Sequence, residues 1–126
     1  MLTKLAFVAL GGALGSMARY GINLAIPLKG GFPWATFLVN VLGSLIIGLA
    51  YVFITERAAL PPFWRELLIV GFLGAFTTFS TFSMEFVGLI QNNEPFIALV
   101  FVVSSLIFCI VAAFLGVSLA RLIYFI

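Results

Sequence analysis

The sequence contains no histidine and no aspartate. Without them neither a Ser-His-Asp nor a Cys-His catalytic set can be assembled. A histidine-rich transition-metal site is excluded as well. The acids are Glu56, Glu66, Glu85 and Glu94 alone. A single cysteine, Cys109, rules out an intrachain disulfide and leaves the redox compartment unmarked. Charge of either sign is scarce: charged residues make up 8% of the 126 residues, against about 25% in a soluble domain. The net charge of +2 is spread along the chain, which is not the footprint of a nucleic-acid binder. An enzyme is improbable on these grounds; a channel, a transporter or a membrane scaffold remains.

What fills the chain is apolar. Hydrophobic residues make up 64%, and 15 residues are Phe. A soluble domain this small could not cover so much apolar surface with so few charged side chains. The bilayer is therefore the expected solvent. One span takes about 20 apolar residues, so four use about 80 and leave about 45 for ends and connections. A separate soluble domain does not fit, and residues 1–126 read as a single transmembrane domain.

Four apolar segments are expected over residues 2–27, 33–55, 63–90 and 95–120. Lys29-Gly30-Gly31 forms the first turn. Pro33 and Pro95 open the second and fourth segments, since proline suits the first helical position. Glu56 to Pro62 and Gln91 to Glu94 form the other connections. Trp34, Tyr51, Trp64 and Tyr124 sit near segment ends, where an aromatic belt is expected. The first segment has the Lys4-then-apolar pattern of a signal peptide. Its Gly11, Gly12, Gly15 and Arg19, with no convincing small-x-small cleavage site, favour an uncleaved helix instead.

Four spans put both ends on one side, together with Lys4, Arg57, Arg65 and Arg121. Arg19 and Lys29 fall on the other. Four cations against two lean towards ends-in. One moved charge would nearly erase that margin, so the sequence permits insertion in both orientations. Gly11-x-x-x-Gly15 lets another helix approach closely, and Gly43 and Gly48 offer the same in the second span. Ordinary helix packing is the more economical reading of any single glycine.

The third segment carries the most information. As one helix, residues 63–90 would measure about 42 Å, and the hydrocarbon core is about 30 Å thick. Thr77-Thr78-Phe79-Ser80-Thr81-Phe82-Ser83 places five hydroxyls among seven residues. Hydroxyls can satisfy backbone groups freed by a break, which lipid cannot. Broken helices at membrane depth line ion or substrate sites. The competing explanation is interhelical hydrogen bonding. Five hydroxyls around two aromatics favour a polar pathway.

Asn40 lies within the second span, flanked by Val39 and Val41. Its amide either bonds a carbonyl of another helix or turns its N–H groups towards an anion. Arg19 has three readings: snorkelling to the interface, raising anion concentration at a pore mouth, or pairing with Glu85. Phe79 and Phe82, three apart, share a helical face. Aromatic stripes are normally packing, yet ring edges carry partial positive charge and can contact a small anion.

Three blocks carry a family resemblance. They are Gly11-Gly12-Ala13-Leu14-Gly15-Ser16-Met17-Ala18-Arg19-Tyr20, Thr36-Phe37-Leu38-Val39-Asn40-Val41-Leu42-Gly43, and Gly71-Phe72-Leu73-Gly74-Ala75-Phe76 continuing into the hydroxyl run through Ser83. Together they resemble the Fluc (CrcB) fluoride channels over essentially the whole chain; the third block is the specific one. The resemblance implies an all-α integral membrane protein of four transmembrane helices, the third broken near the midplane. It implies a multi-pass protein of the bacterial inner membrane, embedded in lipid and assembled as an antiparallel, dual-topology homodimer with two fluoride pores. Asn40, Phe79 and Phe82 match pore residues, with the two phenylalanines of each pore drawn from different subunits. Ser80 and Thr81 match a polar track, and Arg19 matches a vestibule arginine. Gly74 and Thr77 match the positions whose carbonyls hold a central structural Na⁺. Some relatives carry pore-side hydroxyls where Cys109 and Ala113 align; Ser105, one turn before Cys109, is the candidate to replace them in part.

The implied activity is passive fluoride export. The runner-up is a proton-coupled exporter like the small multidrug resistance proteins. It needs an embedded carboxylate, typically in the first span, where this chain has none; Glu85 is the only acid well inside a segment. A noncatalytic assembly subunit would explain the glycines and hydroxyls but not their arrangement around Phe79 and Phe82.

Overall fold

Prolines and glycines set the element boundaries. The computed structural model describes residues 1–28 and 30–126, so the expected turn residue Lys29 lies outside the described residues. Helix α1 covers Leu2–Ala25. Helix α2 covers Trp34–Ala50 and continues as π-helix over Tyr51–Glu56. Pro33 stands as the cap of α2 rather than inside it. Gly30 and Gly31 make the preceding turn with φ of 81° and 77°, values open to glycine but strained for a residue with a Cβ. Helix α3 winds as π-helix over Arg65–Leu73 and ends in one α-turn, Gly74–Phe76. Helix α4 covers Phe79–Gln91. Helix α5 covers Pro95–Phe125, with proline in its first turn as expected.

Among the described residues, four helical stretches are long and apolar enough to cross a membrane: Leu2–Ala25, Trp34–Glu56, Arg65–Gln91 and Pro95–Phe125. At 31 residues, α5 is about 46 Å long and outruns a hydrocarbon core of about 30 Å. Its end is tied to α2 by Arg121, whose Nε and Nη2 donate to the Glu56 carboxylate at 3.2 and 2.8 Å. The neighbouring Arg57 guanidinium lies 4.9 Å from the Tyr124 ring. Helix α5 thus runs past Arg121 to Phe125, beyond the expected end near residue 120.

Glycines decide how closely the helices pack. A Cβ at Gly15 would run into the Phe72 carbonyl, and one at Gly11 into that of Leu67. Helix α1 therefore lies backbone-to-backbone against α3. Gly48 and Gly116 meet in the same way between α2 and α5. Lipid tails are as apolar as leucine, so such close contact, rather than hydrophobic burial, is what holds membrane helices together. Phe82, Leu89, Ala98 and Phe101 form a buried cluster joining α4 to α5. Many large apolar side chains stay exposed, including Leu10, Phe79, Leu106, Phe114 and Leu122.

Candidate functional site

Between Phe76 and Phe79 the third span leaves helical geometry. Thr77 has φ −80° and ψ 155°, and Thr78 has φ −151° and ψ 121°. Each backbone group that this interruption frees needs another partner. Asn40 on α2 supplies two of them. The Thr78 N–H donates to Asn40 Oδ1 at 2.8 Å, and Asn40 Nδ2 donates to the Thr78 carbonyl at 3.0 Å. The Thr78 hydroxyl caps α4 by accepting the Thr81 N–H at 3.1 Å. Arg19 reaches from α1 and donates Nε to the Ala75 carbonyl at 3.0 Å.

These bonds have a consequence for two carbonyls. In an unbroken helix the Thr78 N–H would close on the Gly74 carbonyl, and the Thr81 N–H on that of Thr77. Both donors are used elsewhere, by Asn40 and by the Thr78 hydroxyl. The carbonyls of Gly74 and Thr77 thus lose their usual partners. Neutral oxygens of that kind are the donor set a hard cation such as Na⁺ takes. Gly74 is also exposed on this chain's surface. The two residues fit the expected sodium ligands on the chemistry of their donors.

A cavity of about 360 Å³ opens beside the interruption. It brings together Asn40, Gly74, Thr77, Phe79, Phe82 and Ser105, with Thr78, Ser44 and Cys109 alongside. No charged side chain lines it among the described residues. Phe82 is 9% exposed and packs on Phe101 at 4.9 Å between ring centroids. Phe79, 5.4 Å from Phe82, is 75% exposed and stands on the surface of the chain. Their shared helical face thus runs from core to surface. The Ser105 hydroxyl is buried with no hydrogen-bond partner, at the cavity wall.

The remaining expected residues lie elsewhere. Ser80 is exposed, its hydroxyl 3.4 Å from that of Thr78. Thr81 borders a different recess, shared with Glu85 and Gly88. Arg19 is outside the cavity lining, and its link to α3 is a carbonyl rather than a carboxylate. Glu85 accepts the Thr36 hydroxyl at 2.9 Å on one oxygen, while its other oxygen is buried without a partner. The pairing of Arg19 with Glu85 is not among the described ion pairs. Cys109 lines the cavity, whereas the Ala113 carbonyl packs against Gly48.

For Asn40 the structure shows the first reading, the bond to a carbonyl of the third span. One amide N–H bonds a carbonyl of another helix, and the amide has a second N–H at the cavity wall. Two residues had no assigned role: Thr78, which holds both the Asn40 bond and the α4 cap, and Ser44. Ser44 was legible as one helical turn after Asn40 on the same face. Thr78 was not distinguishable from its four hydroxyl neighbours without the backbone angles.

The family described as CrcB-like protein, Camphor Resistance (CrcB), matches residues 6–117 of the chain. The fluoride-specific ion channel FluC of Magnetococcus marinus is 47% identical over 122 residues, covering 95% of this chain and 99% of that protein. That of Saccharophagus degradans is 50% identical, covering 90% of this chain and 86% of the relative. That of Hahella chejuensis is 46% identical, covering 94% and 95%.

Proposed function

This chain belongs to the CrcB family, and on that premise we propose that it is a fluoride-selective passive channel of the bacterial inner membrane, crossing it several times. The observation that carries the reading is the likeness over nearly full length to fluoride-specific channels. It is a transporter rather than an enzyme. The alternative of a proton-coupled exporter finds no support: α1 holds no acid, and Glu85 lies outside the lining of the cavity at the interruption.

The uncharged cavity supports a specific mechanism. Fluoride is small and strongly hydrated, so it leaves water only for close donors. The free N–H of Asn40, the Ser105 hydroxyl and the ring edges of Phe79 and Phe82 provide them without a fixed cation that would trap the ion. Ser80 and Thr81 extend the polar track beyond the rings, and Arg19 raises anion concentration at its mouth. HF enters a cell from acidic surroundings and dissociates inside. The inside-negative potential then expels F⁻ with about 2.3 kcal/mol per charge per 100 mV.

Assembly completes the pathway. The chain forms an antiparallel homodimer, which the thin charge bias allows and which would cover the exposed Phe79 and Gly74. Each dimer has two pores, and each pore takes its phenylalanines from both subunits. The interruption at Thr77 and Thr78 lies near the bilayer midplane. The Gly74 and Thr77 carbonyls of both copies would hold a structural Na⁺, a hard cation whose charge would offset their exposed dipoles.

The test is ion efflux from liposomes containing the purified protein. F⁻ should leave and Cl⁻ should stay. Comparable fluxes of the two would overturn the selectivity, and no flux would overturn the channel.

A further inference from the structure

Most hydroxyls near the interruption are already committed. Serine and threonine in helices commonly donate to the carbonyl four residues back. Thr77 does so to Leu73, Ser83 to Phe79 and Ser104 to Val100. Thr36 donates to Glu85. Two hydroxyls at the cavity wall are different. Ser105 is 5% exposed, its oxygen buried and unpartnered. Ser44, one turn beyond Asn40, borders the same cavity with its hydroxyl in hydrogen-bond contact with the Cys109 thiol, a weak partner. No bond from Ser44 back to the Asn40 carbonyl occurs among the described side-chain hydrogen bonds.

The donors on the two walls change along the helices. On α5 the donor passes from the Ser105 hydroxyl to the Cys109 thiol, a weak donor. On α2 it passes from the Asn40 amide to the Ser44 hydroxyl. Beyond that level the wall is apolar, with Ile47 and Ile110. An anion moving on from Asn40 and Ser105 meets one strong donor there. We propose that Ser44 is a specificity-determining residue of the permeation path, donating its O–H to fluoride at the level where Cys109 offers only a thiol. The inference rests on the fluoride-channel reading and adds a residue to it. Small hard anions profit most from a hydroxyl, since a short O–H···anion contact is open to them and not to a larger ion.

The test compares F⁻ efflux from liposomes for the parent, Ser44→Ala, Ser44→Ala with Cys109→Ser, and Ser118→Ala. Ser44→Ala removes one oxygen and leaves the backbone contacts of α2 in place. It should lower flux about tenfold, the scale of one hydrogen bond to a charged group. Adding Cys109→Ser returns a hydroxyl to the same level from the other wall, and should bring flux back to within about threefold of the parent. Ser118, exposed and outside the cavity lining, should be neutral when replaced. Flux in Ser44→Ala within about twofold of the parent would overturn the inference. So would a loss that Cys109→Ser does not recover, because a packing role would not be rescued by a hydroxyl on α5. Both results leave the channel reading standing. A parent that passes no F⁻ removes that reading, and this inference with it.

Discussion

Replacing Asn40 by aspartate separates its two duties. The Thr78 N–H keeps an acceptor, now a stronger one, at the position it holds at 2.8 Å. The partner bond is lost: where Nδ2 donates to the Thr78 carbonyl at 3.0 Å, an oxygen faces an oxygen. Leaving that part-buried carbonyl without its donor costs about 1–3 kcal/mol at most. The rest of the interruption still holds, through the Thr78 cap on Thr81 and the bond from Arg19 to Ala75. The fold should survive. Conduction should not. A carboxylate about 4 Å from a permeating anion, at an effective dielectric of about 20, repels it by about 4 kcal/mol. At about 1.4 kcal/mol per decade, this is a loss of about a thousandfold in flux. Asn40→Ala gives the complementary result. It adds no charge but strands both Thr78 groups, so it should destabilise by roughly 2–6 kcal/mol, more than the aspartate does. The assay is F⁻ efflux from liposomes by ion-selective electrode, with a size-exclusion profile of each variant. Asn40→Asp flux within about tenfold of the parent, with an unchanged profile, would refute the electrostatic reasoning.

Other expectations follow from packing and topology. Phe82→Ile removes the ring that sits between Phe79 and Phe101, and should lower F⁻ flux more than Phe53→Ile, which lies outside the cavity lining; equal losses would mean general packing damage. Gly15→Leu should abolish the folded elution peak because a Cβ there meets the Phe72 carbonyl, whereas Gly21→Leu, with open space around it, should elute like the parent. A terminal tag probed from both faces of the membrane should be found in both orientations, and a uniform orientation in an active preparation would contradict the antiparallel dimer.

Composition settled the solvent, and the polar connections between apolar segments the span count. With 64% apolar residues and 8% charged, the chain belongs in a bilayer, and its long unbroken apolar segments read as helices rather than barrel strands. Proline and glycine then placed the boundaries to within a few residues, because their effects are local: Pro95 opens α5, and Gly30 and Gly31 turn the chain. The missing acid in the first span and the absence of histidine were equally legible, since a residue that is not there needs no coordinates. Tertiary structure decided what each polar group is spent on. Five hydroxyls from Thr77 to Ser83 look alike in one dimension. In three, the Thr77 and Ser83 hydroxyls bond back to their own helices, while that of Thr78 caps α4. Asn40 takes both Thr78 backbone groups across a separation of 38 residues, and Arg19 takes the Ala75 carbonyl across 56. Those choices depend on α1 and α2 lying beside the interruption, which the close contacts of Gly11 and Gly15 with α3 and of Gly43 with Thr77 bring about. A hydrogen bond is decided within about 3 Å, and sequence spacing carries no information at that scale once the partners sit on different helices.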